Sequence, residues 1–188
     1  MLRLSAAIDR VTGGIGRAAS WLALVMILIG AFNAVARYLG RYIGINLSSN
    51  AYLELQWYLF SMLFLLGAAW TLRDDAHVRV DVLYARLSPR AQSVINILGT
   101  VLLLVPFSVF VIWVSTPVIR SSWTIREGSP DPGGLPRYPL KALIVVCFAL
   151  LLLQAVSELI KEVHRFRSAE PVGAGAPGHD VQHRPEGV

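Results

Sequence analysis

The chain has 188 residues, enough for one ordinary domain, but 55% are hydrophobic, only 15% are charged and the mean hydropathy is +0.56. A water-soluble domain of that composition would have a core and almost no surface. The net charge of +5 and isoelectric point near 9.8 would suggest nucleic acid in a soluble protein, yet the Arg and Lys residues sit just outside long apolar runs, where positive-inside topology explains them and no nucleic acid is expected.

Uncharged runs extend over Ala18–Ala36, Leu55–Leu72, Ala91–Ile119 and Ala142–Ser157. A helix rises about 1.5 Å per residue and the hydrocarbon core is ~30 Å thick, so apolar runs near or above about 18 residues read as membrane spans. The expected fold is an all-α integral membrane protein with four transmembrane helices, at about 18–38, 52–73, 89–119 and 138–164. Together they form one membrane domain over 18–167.

Residues 1–17 carry Arg3, Arg10 and Arg17, with Leu2, Leu4, Ala7, Ile8 and Val11 at roughly helical spacing before Gly13-Gly14-Ile15-Gly16. They read as a cytoplasmic segment, either a short interfacial amphipathic helix or a tail with chance periodicity. Ala34-Val35-Ala36 resembles a signal-peptidase site, but the apolar run before it is too long for a signal peptide, so an uncleaved first helix is expected. Trp21 and Tyr38 mark the two ends of that helix as interfacial aromatics. Gly30 and Ala34 form a small-xxx-small pair that lets a partner helix approach closely.

Asn33 and Arg37 lie one turn apart near the far end of the first helix. Ser48, Ser49 or Asn50 can cap the second, and Glu54 falls in its first turns, where the dipole favours a carboxylate. The hairpin places Arg37 and Glu54 at similar depth. Either they pair, because a lone charge in the membrane is expensive, or each snorkels to the interface independently.

The second span ends in the dense cluster Arg73, Asp74, Asp75, His77, Arg79, Asp81. Val78, Val80 and Val82 alternate with its charges, and a short surface segment facing lipid or a partner is the expectation. Ser88-Pro89 signals a helix restart. Pro106 is expected to kink the long third run. The loop 121–137, dense in Pro, Gly and Ser, reads as compact and non-helical. Lys141 snorkels at the start of the fourth helix, and Gln154 and Ser157 toward its end can hydrogen-bond to other helices. Cys147, the single cysteine, reads as a small apolar core residue. The Gly-, Pro- and Ala-rich stretch 168–188 reads as a disordered cytoplasmic tail.

Four spans put both termini and the middle loop on one side. That side holds Arg3, Arg10, Arg17, Arg73, Arg79, Arg86, Arg90, Lys161, Arg165 and Arg167, against Arg37, Arg41, Arg120, Arg126, Arg137 and Lys141 on the other. The excess places both termini in the cytoplasm. His77, His164, His179 and His183 all lie outside the apolar runs, so no haem site is expected. HExxH, a phosphate-cradling glycine loop and a nucleophile elbow are missing from the sequence. The expectation is no enzyme, no cofactor and no metal, and four spans without inverted repeats do not make a complete transporter.

The residues Asn33-x3-Arg37-Tyr38, Glu54, Leu59-Phe60, Gly67 and Arg73-Asp74-Asp75-Ala76-His77-Val78-Arg79-Val80-Asp81, followed by Ser129-Pro130-Asp131-Pro132-Gly133-Gly134-Leu135-Pro136 and Tyr138-Pro139-Leu140-Lys141-Ala142, resemble the small membrane subunit of tripartite ATP-independent periplasmic (TRAP) transporters, the DctQ-like family. The resemblance covers about residues 18–165. It implies a multi-pass protein of the bacterial inner membrane, working beside a large multi-span permease subunit and a periplasmic solute-binding protein in sodium-coupled uptake of an organic acid. Asn33, Arg37, Glu54, Gly67, Arg73, His77, Arg79 and Asp81 are the candidate structural or partner-interface residues, with membrane lipid as a further partner. A free-standing membrane scaffold and a membrane redox subunit are the competing readings.

Overall fold

The computed structural model describes residues 1–45, 47–76, 84 and 87–168. Four helices account for nearly all of them: α1 (Leu2–Ile43), α2 (Asn50–Arg73), α3 (Pro89–Thr124) and α4 (Tyr138–Ser168). Each is long and apolar enough to cross a membrane, and in their most apolar stretches only 6–28% of residues are buried within the chain. Water would not tolerate that surface. Lipid does, because it is as apolar as the side chains that face it.

The sequence leaves the first 17 residues outside the first span, whereas α1 runs unbroken for 42 residues, about 63 Å at 1.5 Å per residue. Glycine weakens an isolated helix by about 1 kcal/mol, which is why Gly13-Gly14-Ile15-Gly16 looks like a break. Packing overrides it. A Cβ on Gly16 would lie 2.4–2.6 Å from Trp70 of α2, and one on Gly13 would meet the Arg73 guanidinium. α1 ends at Gly44, whose φ of 73° is left-handed and whose N–H caps Gly40 O.

Ser49 is the residue that caps α2, accepting from the Ala51 N–H at 3.2 Å. Ser88 caps α3 with Pro89 at the first turn, as its sequence signals. Around the expected kink, α3 holds a π-helical segment, Thr100–Leu104, directly before Pro106. Proline has no N–H and its ring clashes with the carbonyl four residues back, here Leu102. The wider π turn absorbs that mismatch within a continuous helix.

α4 is the central element. It packs against α1, α2 and both halves of α3, and α1 packs along α2. α3 is joined to the rest almost entirely through α4. The apolar core lies between α2 and α4, with Ala69, Cys147 and Leu151 buried among Leu65, Leu72 and Phe148. Cys147 therefore takes the core role its sequence position suggests. The valine-rich cluster around His77, Arg79 and Asp81 and the stretch 169–188 lie outside the described residues.

Candidate partner interface

Polar groups gather at three places on this framework. The first is the loop between α3 and α4. α3 ends in a left-handed residue, Arg126 (φ 47°), and the Glu127 N–H reaches back to Ser122 O at 3.0 Å, a Schellman-type closure. The chain then turns through Pro130, Pro132 and Gly133, the last at φ 73°, and returns so that the Arg137 N–H bonds Glu127 O at 2.9 Å.

This loop is strapped onto α2. Glu54 is only 3% exposed, and its carboxylate accepts from Ser129 Oγ and the Leu135 N–H. Tyr58, one turn on, donates to Pro136 O at 2.6 Å. Asn50 Nδ2 donates to Pro132 O at 3.2 Å. Gly134 sits so close that a Cβ would lie 2.7 Å from Glu54 Oε2. Arg137 lies over the Trp57 ring, 5.9 Å from its centroid. Glu127 accepts from Lys141 Nζ and from Ser122 Oγ at 2.6 Å. Those donors, Lys141 first, hold the Glu127 carboxyl below its ordinary value against the opposing effect of burial.

The expected Arg37–Glu54 pair is thus not formed. Glu54 and Tyr58 are four residues apart and share the face of α2 that meets the loop. Leu53 and Gln56 share the face that meets α1 near Arg37. Depth alone placed Arg37 and Glu54 together; the direction in which each helix face points separates them. Lys141 likewise pairs with Glu127 rather than reaching freely to the interface.

The second place joins the start of α1 to the end of α4. Ser5, Asp9 and Thr12 share one face of α1 and meet Gln154, Ser157 and Lys161. Thr12 Oγ1 donates to Gln154 Oε1 at 2.8 Å, Gln154 Nε2 to Asp9 Oδ1 at 2.9 Å, and Ser157 Oγ to Asp9 Oδ1 at 2.6 Å. Lys161 Nζ bridges Asp9 Oδ2 at 3.3 Å and Glu158 Oε1 at 2.6 Å. Arg73 closes the set from α2, donating from Nη1 to Asp9 O at 3.0 Å and from Nε to Asp74 at 2.7 Å. Gln154 and Ser157 do bond another helix, as their sequence suggests. Their partners Ser5, Asp9 and Thr12 are not among the residues the sequence singles out, although their i, i+4, i+7 spacing marks a helix face.

The third place is a groove of about 410 Å³ between α1 and α2, lined by Gly30, Asn33, Arg37, Arg41, Leu53 and Gln56 among others. A Cβ on Gly30 would come within 2.9 Å of Gln56 Oε1, so the small residue does allow close approach here. Asn33 is 3% exposed and its Oδ1 has no hydrogen-bond partner. Gly67 lies mid-α2 with open space where a side chain would be. Asn33 and Arg37 therefore converge, Glu54 and Arg73 serve separate contacts, and His77, Arg79 and Asp81 lie outside the described residues.

Among the described residues, no group of three His, Cys, Asp or Glu side chains could hold a metal ion. The family model for the DctQ component of tripartite ATP-independent periplasmic transporters matches residues 26–165. The chain belongs to this DctQ family. It is thereby a transport component of the inner membrane. The isethionate TRAP transporter permease protein DctMQ of Oleidesulfovibrio alaskensis is 25% identical over 150 residues, which are 79% of this chain and 23% of that protein. The chain thus spans about a quarter of that relative's length. No solved structure matches it. The DctQ match takes in Asn33, Arg37, Glu54, Arg73 and the strapped loop, and begins after the α1 segment that carries Ser5, Asp9 and Thr12.

Proposed function

We propose that the chain is the small, non-catalytic membrane subunit of a TRAP-type secondary transporter, supporting a large permease subunit in sodium-coupled uptake of an organic acid delivered by a periplasmic binding protein. The observation that carries this reading is the DctQ match across all four spans. Its alignment to a minor part of a much longer permease protein supports a large partner, and the isethionate transporter among its relatives supports an organic acid as the substrate class. The exposed apolar faces of α1 and α3 supply surface for both lipid and that partner.

The decisive experiment expresses the chain with its permease subunit and binding protein and follows uptake of labelled organic acids in cells. Co-purification of the two membrane subunits is expected, together with loss of at least nine-tenths of sodium-dependent uptake when this chain is deleted. A chain that purifies alone, with uptake intact after its deletion, would instead be a free-standing scaffold.

A further inference from the structure

We infer that the groove between α1 and α2, near the connection that joins them, is a built site for the phosphodiester of an anionic phospholipid, gripped by Arg37 and Arg41. The inference goes beyond the proposed function and stands without it. The two guanidiniums lie one turn apart on the same face of α1, both on the groove. Among the described residues neither joins an ion pair or hydrogen bond. The carboxylate nearest in depth, Glu54, is committed to Ser129 and Leu135. Arg37 and Arg41 are both exposed; two neighbouring cations without a counter-charge call for an anion, and guanidinium forks match phosphate oxygens in geometry as well as charge.

Depth identifies the anion. Ala18–Ala36 supplies 19 uncharged residues, about 28 Å of helix at 1.5 Å per residue, so Arg37 sits where a ~30 Å hydrocarbon core gives way to headgroups. Arg41 lies one turn further out, flanked by Tyr38 and Tyr42, both exposed, as interfacial aromatics are. Volume favours a headgroup over a protein segment. The groove's 410 Å³ is no more than one helical turn about 10 Å across and 5.4 Å high, too short to seat a partner helix. Asn33 is buried beneath the groove, so the two arginines supply its charged groups.

The test uses the full-length chain purified from membranes in mild detergent, with dioleoyl phosphatidylglycerol or dioleoyl phosphatidylcholine titrated into the micelles. Thermal unfolding and native mass spectra are read for the wild type, for Arg37→Gln/Arg41→Gln, and for the control Arg3→Gln/Arg17→Gln. The expected result is one phosphatidylglycerol retained per chain, and a midpoint raised by that lipid but not by phosphatidylcholine. The control should respond like the wild type, and the groove variant should bind at least tenfold more weakly. Should the groove variant not fold, Arg37→Lys/Arg41→Lys keeps the charge and loses the forked donors, and at least threefold weaker binding is expected. Equal responses in wild type and groove variant, or equal action of both lipids, would overturn the inference. So would a groove variant that keeps its phosphatidylglycerol but no longer co-purifies with the permease subunit, since the cations would then serve an acidic protein partner.

Discussion

Glu127 holds together the two ends of the loop between α3 and α4: its backbone meets Ser122 and Arg137, and its side chain meets Ser122 and Lys141. Because Lys141 and Ser122 favour the charged form, the folded carboxyl titrates below its ordinary value of 4.5. A depressed carboxyl stabilises the fold fully above the unfolded value and loses that contribution as pH falls through the folded one. Loop anchoring should therefore be constant from neutral pH down to about 5 and weaken progressively below about 4.5. Hydrogen exchange at the Arg137 amide reads this once the intrinsic pH dependence of exchange is divided out: the protection of this amide, whose N–H bonds Glu127 O, should fall at low pH in the wild type. In Glu127→Gln that protection should be lower at neutral pH and nearly flat across the same range. A wild-type profile as flat as the variant's would show that the carboxylate does not fasten the loop. The turn chemistry of this segment was legible in Pro130, Pro132, Gly133 and Gly134. Its attachment to Glu54 was not, because 75 residues separate Ser129 from Glu54 and nothing local says which face of α2 a carboxylate will turn to.

At the scale of elements, α1 shows where propensity misleads. Gly13, Gly14 and Gly16 lower helix propensity together, and read alone they end a helix; in the fold two of the three admit side chains from α2. Gly16 takes the Trp70 stem, whereas Gly14 has open space where a Cβ would sit. The two positions should respond oppositely to one added methyl. Gly16→Ala puts a Cβ against Trp70 Cβ and Cγ, atoms too near the α2 backbone to swing aside, and overpacking of this kind costs about 1–3 kcal/mol. Gly14→Ala meets nothing and recovers up to about 1 kcal/mol of helix propensity. Thermal unfolding of both variants in one detergent should show a fall for Gly16→Ala and no fall for Gly14→Ala; equal shifts would mean that α1 does not pack on Trp70. The spans themselves were legible because apolar runs of that length have few other uses. The polar face Ser5, Asp9, Thr12 is not legible in the sequence in the same way, because it has a partner only in an α1 that continues through residues 13–16.

For the whole molecule, the arrangement of charge constrains how the four helices sit in the bilayer. The helix hairpins bring the start of α1, the end of α2, the start of α3 and the end of α4 to one end, where Arg73 and Lys161 converge on Asp9. The opposite end carries the strapped loop and the α1–α2 connection. Orientation follows Lys and Arg near the spans, with acids contributing little, so pairing of Arg73, Lys161 and Lys141 with carboxylates does not remove them from the count. The first end holds ten such cations against six, which predicts that it faces the cytoplasm and that the loop carrying Ser129 and Leu135 faces the periplasm. A phosphatase fused after Gly133 should be active and one fused after Arg86 inactive, with a cytoplasmic fluorescent reporter showing the reverse. Replacing Arg3, Arg10 and Arg17 together by Gln narrows the margin to seven against six and should produce a mixed population at both fusion points. Uniform periplasmic signal after Arg86 in the unaltered chain would invert the topology, and with it the side of the membrane on which the strapped loop lies.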